Sequence, residues 1–184
     1  MNVNDAPINS ADSVGLIYQH ILLRVRKGYL HDNIDSDPLN FDEFLSANWT
    51  KLTVEMQRIL VSNSIELFLR LNRNERSRNT VEAVITAVDD INQCPDIGHQ
   101  TLLEYACGGS GKVDLGIAKA LLKAGHSLDR AAENGISPRQ ALGNLYTSKK
   151  RYYDKCRTLF ITVEHKAKCD LRSVKRMKRP ISIA

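Results

Sequence analysis

"GHQTLLEYAC", Gly98 to Cys107, and "NGISPRQAL", Asn134 to Leu142, are the two stretches that decide the fold. Each places a glycine shortly before a hydroxyl residue, and a short helix follows. Thr101 with Glu104 reads T-x-x-E, and Ser137 with Gln140 reads S-x-x-Q. Both are capping boxes: the hydroxyl accepts from the N–H three residues on, while the longer side chain reaches back to the cap's own N–H. Pro138 falls at the first helical position, where its missing N–H costs nothing. Between the two stretches, "DLGIAKALLKAG" sets Ile117, Ala118, Leu121 and Leu122 on one helical side. Gly125 ends that helix, since glycine takes left-handed backbone angles cheaply. The order is short capped helix, loop, second helix, turn, short capped helix.

Working upstream, Val81, Val84, Ile85 and Val88 in "TVEAVITAVDDIN" keep three-and-four spacing, which predicts a helix from Thr80 despite its β-branched content. Asp90 stands where Gly125 stands later. Val14, Ile17, Ile21 and Val25 form the stripe of a helix starting near Ser13, closed by Gly28 and the polar run "HDNIDSDP". Asn40 caps a short helix through Phe41, Phe44 and Leu45. Thr50 and Thr53 offer starts for the next, with Val54, Ile59 and Leu60 apolar. "SNSIE", Ser62 to Glu66, reads as a break and restart, because Ser and Asn compete for backbone hydrogen bonds. Ile65, Phe68 and Leu69 then make a new buried face, and "NRNERSRN", Asn72 to Asn79, reads as a polar connector. Apolar and polar residues alternate nowhere over a strand's length. The expected fold class is all-α.

These features together resemble an ankyrin-repeat protein. The family pattern runs G-x-T-P-L-H-x-A, a loop, an outer helix ending in L-L-x-x-G, and an extended turn to the next repeat. "GHQTLLEYA" and "ALLKAGHSLDRAAENGISPRQAL" follow it, and "VEAVITAVDDIN" is similar to the end of an earlier repeat, so the likeness covers about residues 80–145. Glu104 and Gln140 replace the family's histidine, and the capping boxes offer a physical substitute for it. Thr101 to Ser137 is 36 residues, against a family period of roughly 33; the extra residues fall in "YACGGSGKVD", Tyr105 to Asp114. The resemblance implies a short ankyrin-like stack of helix-turn-helix repeats over residues 50–147, preceded by an N-terminal helical cap, 1–49. It implies a non-catalytic protein-interaction module that grips another protein through a concave surface. Its partner-binding positions would be Gln93, Asp96, Arg130 and Glu133 at the turn tips, with Glu104, Tyr105, Arg139 and Gln140 on the inner helices. At family level the likeness extends to adaptors and to effectors that intracellular bacteria or viruses direct at host proteins.

"GGSGK" invites a phosphate-loop reading, but its neighbours refuse it. The G-x-x-x-x-G-K-[ST] loop needs a glycine at position 106, where Ala106 stands, and a hydroxyl after Lys112, where Val113 stands. The elbow G-x-S-x-G fails at Lys112 too. The five histidines form neither H-x-x-x-H nor H-E-x-x-H, and adjacent Asp89 and Asp90 point about 100° apart on a helix. Cys94, Cys107, Cys156 and Cys169 are too widely spaced for a C-x-x-C zinc site and read as reduced packing thiols. No catalytic residue, metal or cofactor is expected. Aliphatic runs such as Ile21 to Leu23 reach only three residues and the N-terminus is polar, so no membrane span or secretory signal is expected either. That points to a reducing cytoplasm, or to a host cytoplasm or nucleus for an effector.

Charge divides the chain. Residues 149–184 hold twelve Lys or Arg against three Asp or Glu, while the preceding 148 hold 14 basic and 18 acidic groups. Tyr152, Cys156, Leu159, Phe160, Val163 and Ala167 keep helical spacing, which predicts a capping helix over 148–170 that covers the last repeat's apolar edge. The basic tail, 171–184, could form a further helix on Leu171, Val174 and Met177, ended by Pro180. Lys175, Arg176, Lys178 and Arg179 resemble a short import signal. The same cluster suits an import receptor, nucleic acid or an anionic membrane, so anion binding through the tail stands as the alternative function.

Overall fold

The computed structural model describes residues 10–27, 41–71, 74–109, 113–148 and 150–177. Eight α-helices follow one another along them: α1 (Ser10–Lys27), α2 (Phe41–Asn48), α3 (Val54–Arg70), α4 (Glu75–Ala87), α5 (Leu102–Glu104), α6 (Leu115–Lys123), α7 (Pro138–Ser148) and α8 (Lys150–Met177). Among the described residues there is no strand, only an isolated bridge between Ile97 and Gln100. The fold is all-α. The expected cap Asn40, the run "HDNIDSDP", and Gly111 with Lys112 lie outside the described residues.

Single polar side chains start five of these helices, each satisfying N–H groups that have no partner within the helix. Thr53 accepts from Met56 N at 3.3 Å to open α3, and Asn74 accepts from Ser77 N at 2.8 Å to open α4. Asp114 accepts from Gly116 N and Ile117 N at 3.0 and 3.1 Å to open α6. The hydroxyl caps of both expected boxes form, and the reciprocal bond closes at Ser137. Glu104 N donates to Thr101 Oγ1 at 3.2 Å, while the Glu104 carboxylate accepts from Gln100 Nε2 at 3.4 Å. Ser137 N donates to Gln140 Oε1 at 2.8 Å, with Gln140 N returning to Ser137 Oγ at 3.4 Å.

Two local expectations are corrected. "SNSIE" does not interrupt α3, because the Ser62 hydroxyl donates to Pro95 O at 2.8 Å and the core grips the helix on both sides of the segment. Leu60, Val61, Ile65 and Phe68 are all buried there, and Asn63 donates to Tyr18 Oη of α1 at 2.5 Å. The polar connector is also shorter than expected: α4 begins at Glu75, five residues before Thr80. Asn74 caps it, and Ser77 is buried and donates to Val25 O at 3.0 Å, so the run is satisfied as helix.

Burial follows the apolar stripes. Ile17, Ile21 and Val25 of α1 pack on α3 and α4; α4 packs on α6; α6 and α7 carry α8. The core is one continuous cluster from Ile17 to Phe160. Each fully buried aliphatic side chain contributes about 1.5–3 kcal/mol through removal from water. α8 presents Cys156 and Phe160 inward, whereas Tyr152 is exposed and Tyr153 takes the half-buried position. It continues without a break across the expected division at residue 170.

Candidate interaction surface

The chain makes two tight turns beside each other, and a regular sequence offset links them. The first is Ile97–Gln100, closed by Ile97 N to Gln100 O at 2.9 Å and Gln100 N to Ile97 O at 3.1 Å. Gly98 and His99 both have positive φ, 55° and 64°, the geometry of a type I′ turn. The second runs from Ala132 to Ile136, with Ala132 N to Ile136 O at 2.9 Å and Gly135 at φ 75°. Each turn delivers the chain directly into a capping box, Thr101 or Ser137, so turn and helix are positioned as one unit.

Polar side chains stitch the two units together. Asp96 accepts from Arg130 Nη1 at 2.6 Å and from Glu133 N at 3.0 Å, and Arg130 Nη2 donates to Cys94 O at 3.3 Å. Asn92 donates to Gly125 O at 3.0 Å while its Oδ1 accepts from Ser127 N at 2.8 Å. His99 Nδ1 lies 2.7 Å from Glu133 Oε2. The partners are 33 to 37 residues apart in every case. Arg78 of α4 and Asp114 at the head of α6, 3.0 Å apart and 36 residues separated, repeat the offset on the helical side.

The eight expected partner-binding residues divide sharply. Gln93, Glu133, Arg139 and Gln140 are exposed. Asp96 and Arg130 are occupied with each other across the seam; the Asp96 side chain is only 5% exposed, so these two hold the surface in shape more than they present it. Glu104 and Tyr105, each 8% exposed, are buried, and the expectation that they lie open on an inner face is corrected. The reason is local: Thr101 Oγ1 caps the Glu104 N–H while Gln100 Nε2 donates to the Glu104 carboxylate, and the chain then widens into a π-type turn, Tyr105–Gly109, that folds Tyr105 into the core. Burial raises the Glu104 carboxyl above the usual range, against the lowering effect of the Thr101 N–H and Gln100.

Arg139 is braced on two sides, by Asp129 at 2.7 Å and by Glu164 of α8. Those carboxylates hold the guanidinium charge more firmly than usual, and Asp129 is correspondingly lowered by its hydrogen bond from Arg139. His99 and Asp129 are exposed members of the surface that motif reading did not select. A Gly-His pair before a capping Thr is the available signal for His99, since histidine is among the residues that tolerate positive φ. Lys175 and Arg176 lie on α8, while Lys178 and Arg179 lie outside the described residues.

Beneath the turns, Cys94 and His126 are buried. Burial pushes the Cys94 thiol up to about 12, with Arg58 and Arg130 pulling the other way. A thiol so rarely ionised is a poor nucleophile. Among the described residues no group of three or more His, Cys, Asp or Glu is placed to hold a metal ion, and no helix is long and apolar enough to cross a membrane.

Comparison with known proteins gives no match. No family model matches the chain, and no curated protein or solved structure matches it either. The surface must therefore be interpreted from its own geometry.

Proposed function

We propose that this protein is a non-catalytic interaction module built from ankyrin-like repeats, which grips another protein with the exposed tips of its turns. The observation that carries this reading is the narrow range of offsets, 33 to 37 residues, between partners across the seam. A repeat array stacks equivalent units, so equivalent atoms meet one period apart. The largely buried Asp96–Arg130 pair and the Asn92 amide fix the two tips before any partner arrives, which lowers the ordering cost of binding. The exposed set is Gln93, His99, Asp129, Glu133, Arg139 and Gln140, mixed in charge and suited to setting partner choice. An adaptor or a host-directed effector would use it in the same way.

Added positive charge at two exposed tips tests this. With the chain as bait for affinity capture, Gln93→Lys combined with Glu133→Lys is expected to weaken the captured protein's Kd at least ~10-fold, with an unchanged circular dichroism spectrum. Equal affinity for the same protein would remove the tips from the interface.

A second reading rests on α8. After Glu164 meets Arg139, the helix continues thirteen residues to Met177. That is about 20 Å of additional helix at 1.5 Å per residue, bearing Lys166, Lys168, Arg172, Lys175 and Arg176. In this reading the body supports a basic arm that binds nucleic acid or an anionic membrane. Deleting residues 171–184 should then abolish binding to a DNA duplex or an anionic vesicle. Binding by the full chain should fall by about tenfold or more between 50 and 200 mM salt. Salt-independent binding, or binding that survives the deletion, rejects the arm.

A further inference from the structure

We propose that Asn134 is a site of spontaneous covalent modification. The Asn134–Gly135 peptide closes to a succinimide and reopens as aspartate or isoaspartate, adding a negative charge to the tip of the second turn. No other asparagine in the sequence is followed by glycine. In this reaction the next residue's amide nitrogen attacks the asparagine side-chain carbonyl, so a successor without a Cβ obstructs it least. Glycine also turns most freely toward the backbone angles that ring closure needs. The remaining asparagines near these turns are placed differently. Asn79 is exposed, but its peptide lies within α4 and leads into Thr80. The Asn92 amide is engaged at both ends, by Gly125 O and Ser127 N.

The second turn presents the pair to solvent. Glu133, Asn134 and Gly135 are all exposed, and a Cβ built on Gly135 would meet nothing within 4 Å beyond its chain neighbours. Asn134 Oδ1 accepts from Ile136 N at 2.8 Å, an Asx turn that folds the side chain back over the next peptide. That bond keeps Cγ close to the Gly135 nitrogen and leaves a donor on the oxygen that turns negative during attack. The Gly135 N–H donates to Ala132 O at 2.9 Å, and the attack must open that bond. It lies at an exposed tip, where water can replace either partner. The first turn, Ile97–Gln100, has no counterpart, because it contains no asparagine.

The chemistry balances without an oxidant or cofactor. The Gly135 nitrogen gives its proton to solvent and bonds to Asn134 Cγ; the Cγ–Nδ2 bond breaks, and Nδ2 leaves as ammonia with a proton taken from solvent. Water then adds to either carbonyl of the ring. Breaking the bond from Cγ to the Gly135 nitrogen gives aspartate. Breaking the bond from the Asn134 main-chain carbonyl carbon to that nitrogen gives isoaspartate, whose backbone runs through Cγ. In total one water is consumed and one ammonia released. Either product sets a carboxylate next to Glu133, which already meets His99 at 2.7 Å. Isoaspartate also lengthens the chain between Ala132 and Ser137, where the turn leads into its cap. The proposed partner surface would thus change its charge with time, although the chemistry itself does not depend on that reading.

The test incubates the full, folded chain in neutral buffer at body temperature and follows it by cation-exchange chromatography and peptide mapping. The expected result is a more acidic species that accumulates with time, with aspartate and isoaspartate at position 134 before any other asparagine converts. The rate should rise as the buffer is taken from mildly acidic to mildly alkaline, since the attacking nitrogen must lose its proton. Conversion should slow by about tenfold or more in Gly135→Ala, whose added methyl obstructs the attack. Asn134→Gln should abolish the acidic species, because its longer side chain must close a larger ring. That variant keeps glycine at φ 75°, which covers the case in which Gly135→Ala disturbs the turn. Asn134 left intact in the folded chain while a guanidinium-unfolded sample converts would overturn the proposal. So would another asparagine converting first, or an acidic species that persists in Asn134→Gln.

Discussion

Asp114→Ala should lower the unfolding free energy by about 3 kcal/mol, the sum of a lost helix cap and a broken, largely buried ion pair. Asp114 is 4% exposed and performs both tasks at once. Its Oδ1 accepts from Gly116 N and Ile117 N, while Oδ2 takes the Arg78 guanidinium of α4 at 3.0 Å. The cap accounts for about 1 kcal/mol. The pair accounts for about 2 more, below the full cost of a buried pair because Arg78 is 34% exposed and regains water when its partner goes. Arg78 is held in place besides, with its guanidinium carbon 5.8 Å from the Phe68 ring centroid and its side chain 3.0 Å from where a Cβ on Gly116 would lie. In a thermal melt the expected drop is about 6–12 °C for a chain of this size. Asp114→Asn separates the parts: the amide oxygen still caps α6 but the charge is gone, so about two thirds of the loss should remain. Melts of both variants within a degree of the unmodified protein would mean that α4 and α6 are held by apolar packing alone.

That residue also marks the limit of what the sequence makes legible. Thr101 and Ser137 could be read as caps because a capping bond is closed within three residues, and Gly125 as a terminator because φ 89° is a local demand. The stripes Ile17–Ile21–Val25 and Val81–Val84–Ile85 were legible because helical period alone decides which residues face inward. What escaped reading depends on partners far along the chain. Ser62 looks like a helix breaker until Pro95, 33 residues later, accepts its hydroxyl. Arg130 and Asp96 look like free surface charges until the fold sets them 2.6 Å apart. Tyr105 looks like an exposed anchor until the wide turn after α5 folds it inward. The turns were thus legible in the sequence, whereas which side chains stay exposed beside them depends on contacts 33 to 37 residues along the chain.

The same long-range burial should give the protein a specific weakness in acid. His126 is 4% exposed, immediately after Gly125, with Nδ1 donating to Ser127 O at 2.9 Å and Nε2 buried without a partner. Burial lowers its pKa from 6.5 to about 4, Arg130 adding to that effect while the Ser127 carbonyl and Asp96 oppose it. The unfolded chain therefore takes up a proton near pH 6.5 that the folded chain refuses until about pH 4. Stability tracks the difference in bound protons, so this contribution is fully present above pH 6.5 and is lost progressively as pH falls to about 4. The total is about 3 kcal/mol, at 1.36 kcal/mol for each unit of difference. Below that window the folded state titrates as well and the slope ends. Urea unfolding at several values between pH 7 and pH 4 should show wild-type stability falling faster than that of His126→Gln, which fills similar space and cannot be protonated. Comparing the two chains cancels the carboxylates they share. His126 sits between Gly125 and Ser127, whose backbone groups bond Asn92, so the stability it withholds in acid is expected to be lost at that seam. Parallel pH profiles for the two proteins would show that His126 takes its proton in place, and that the seam is open enough to let water follow.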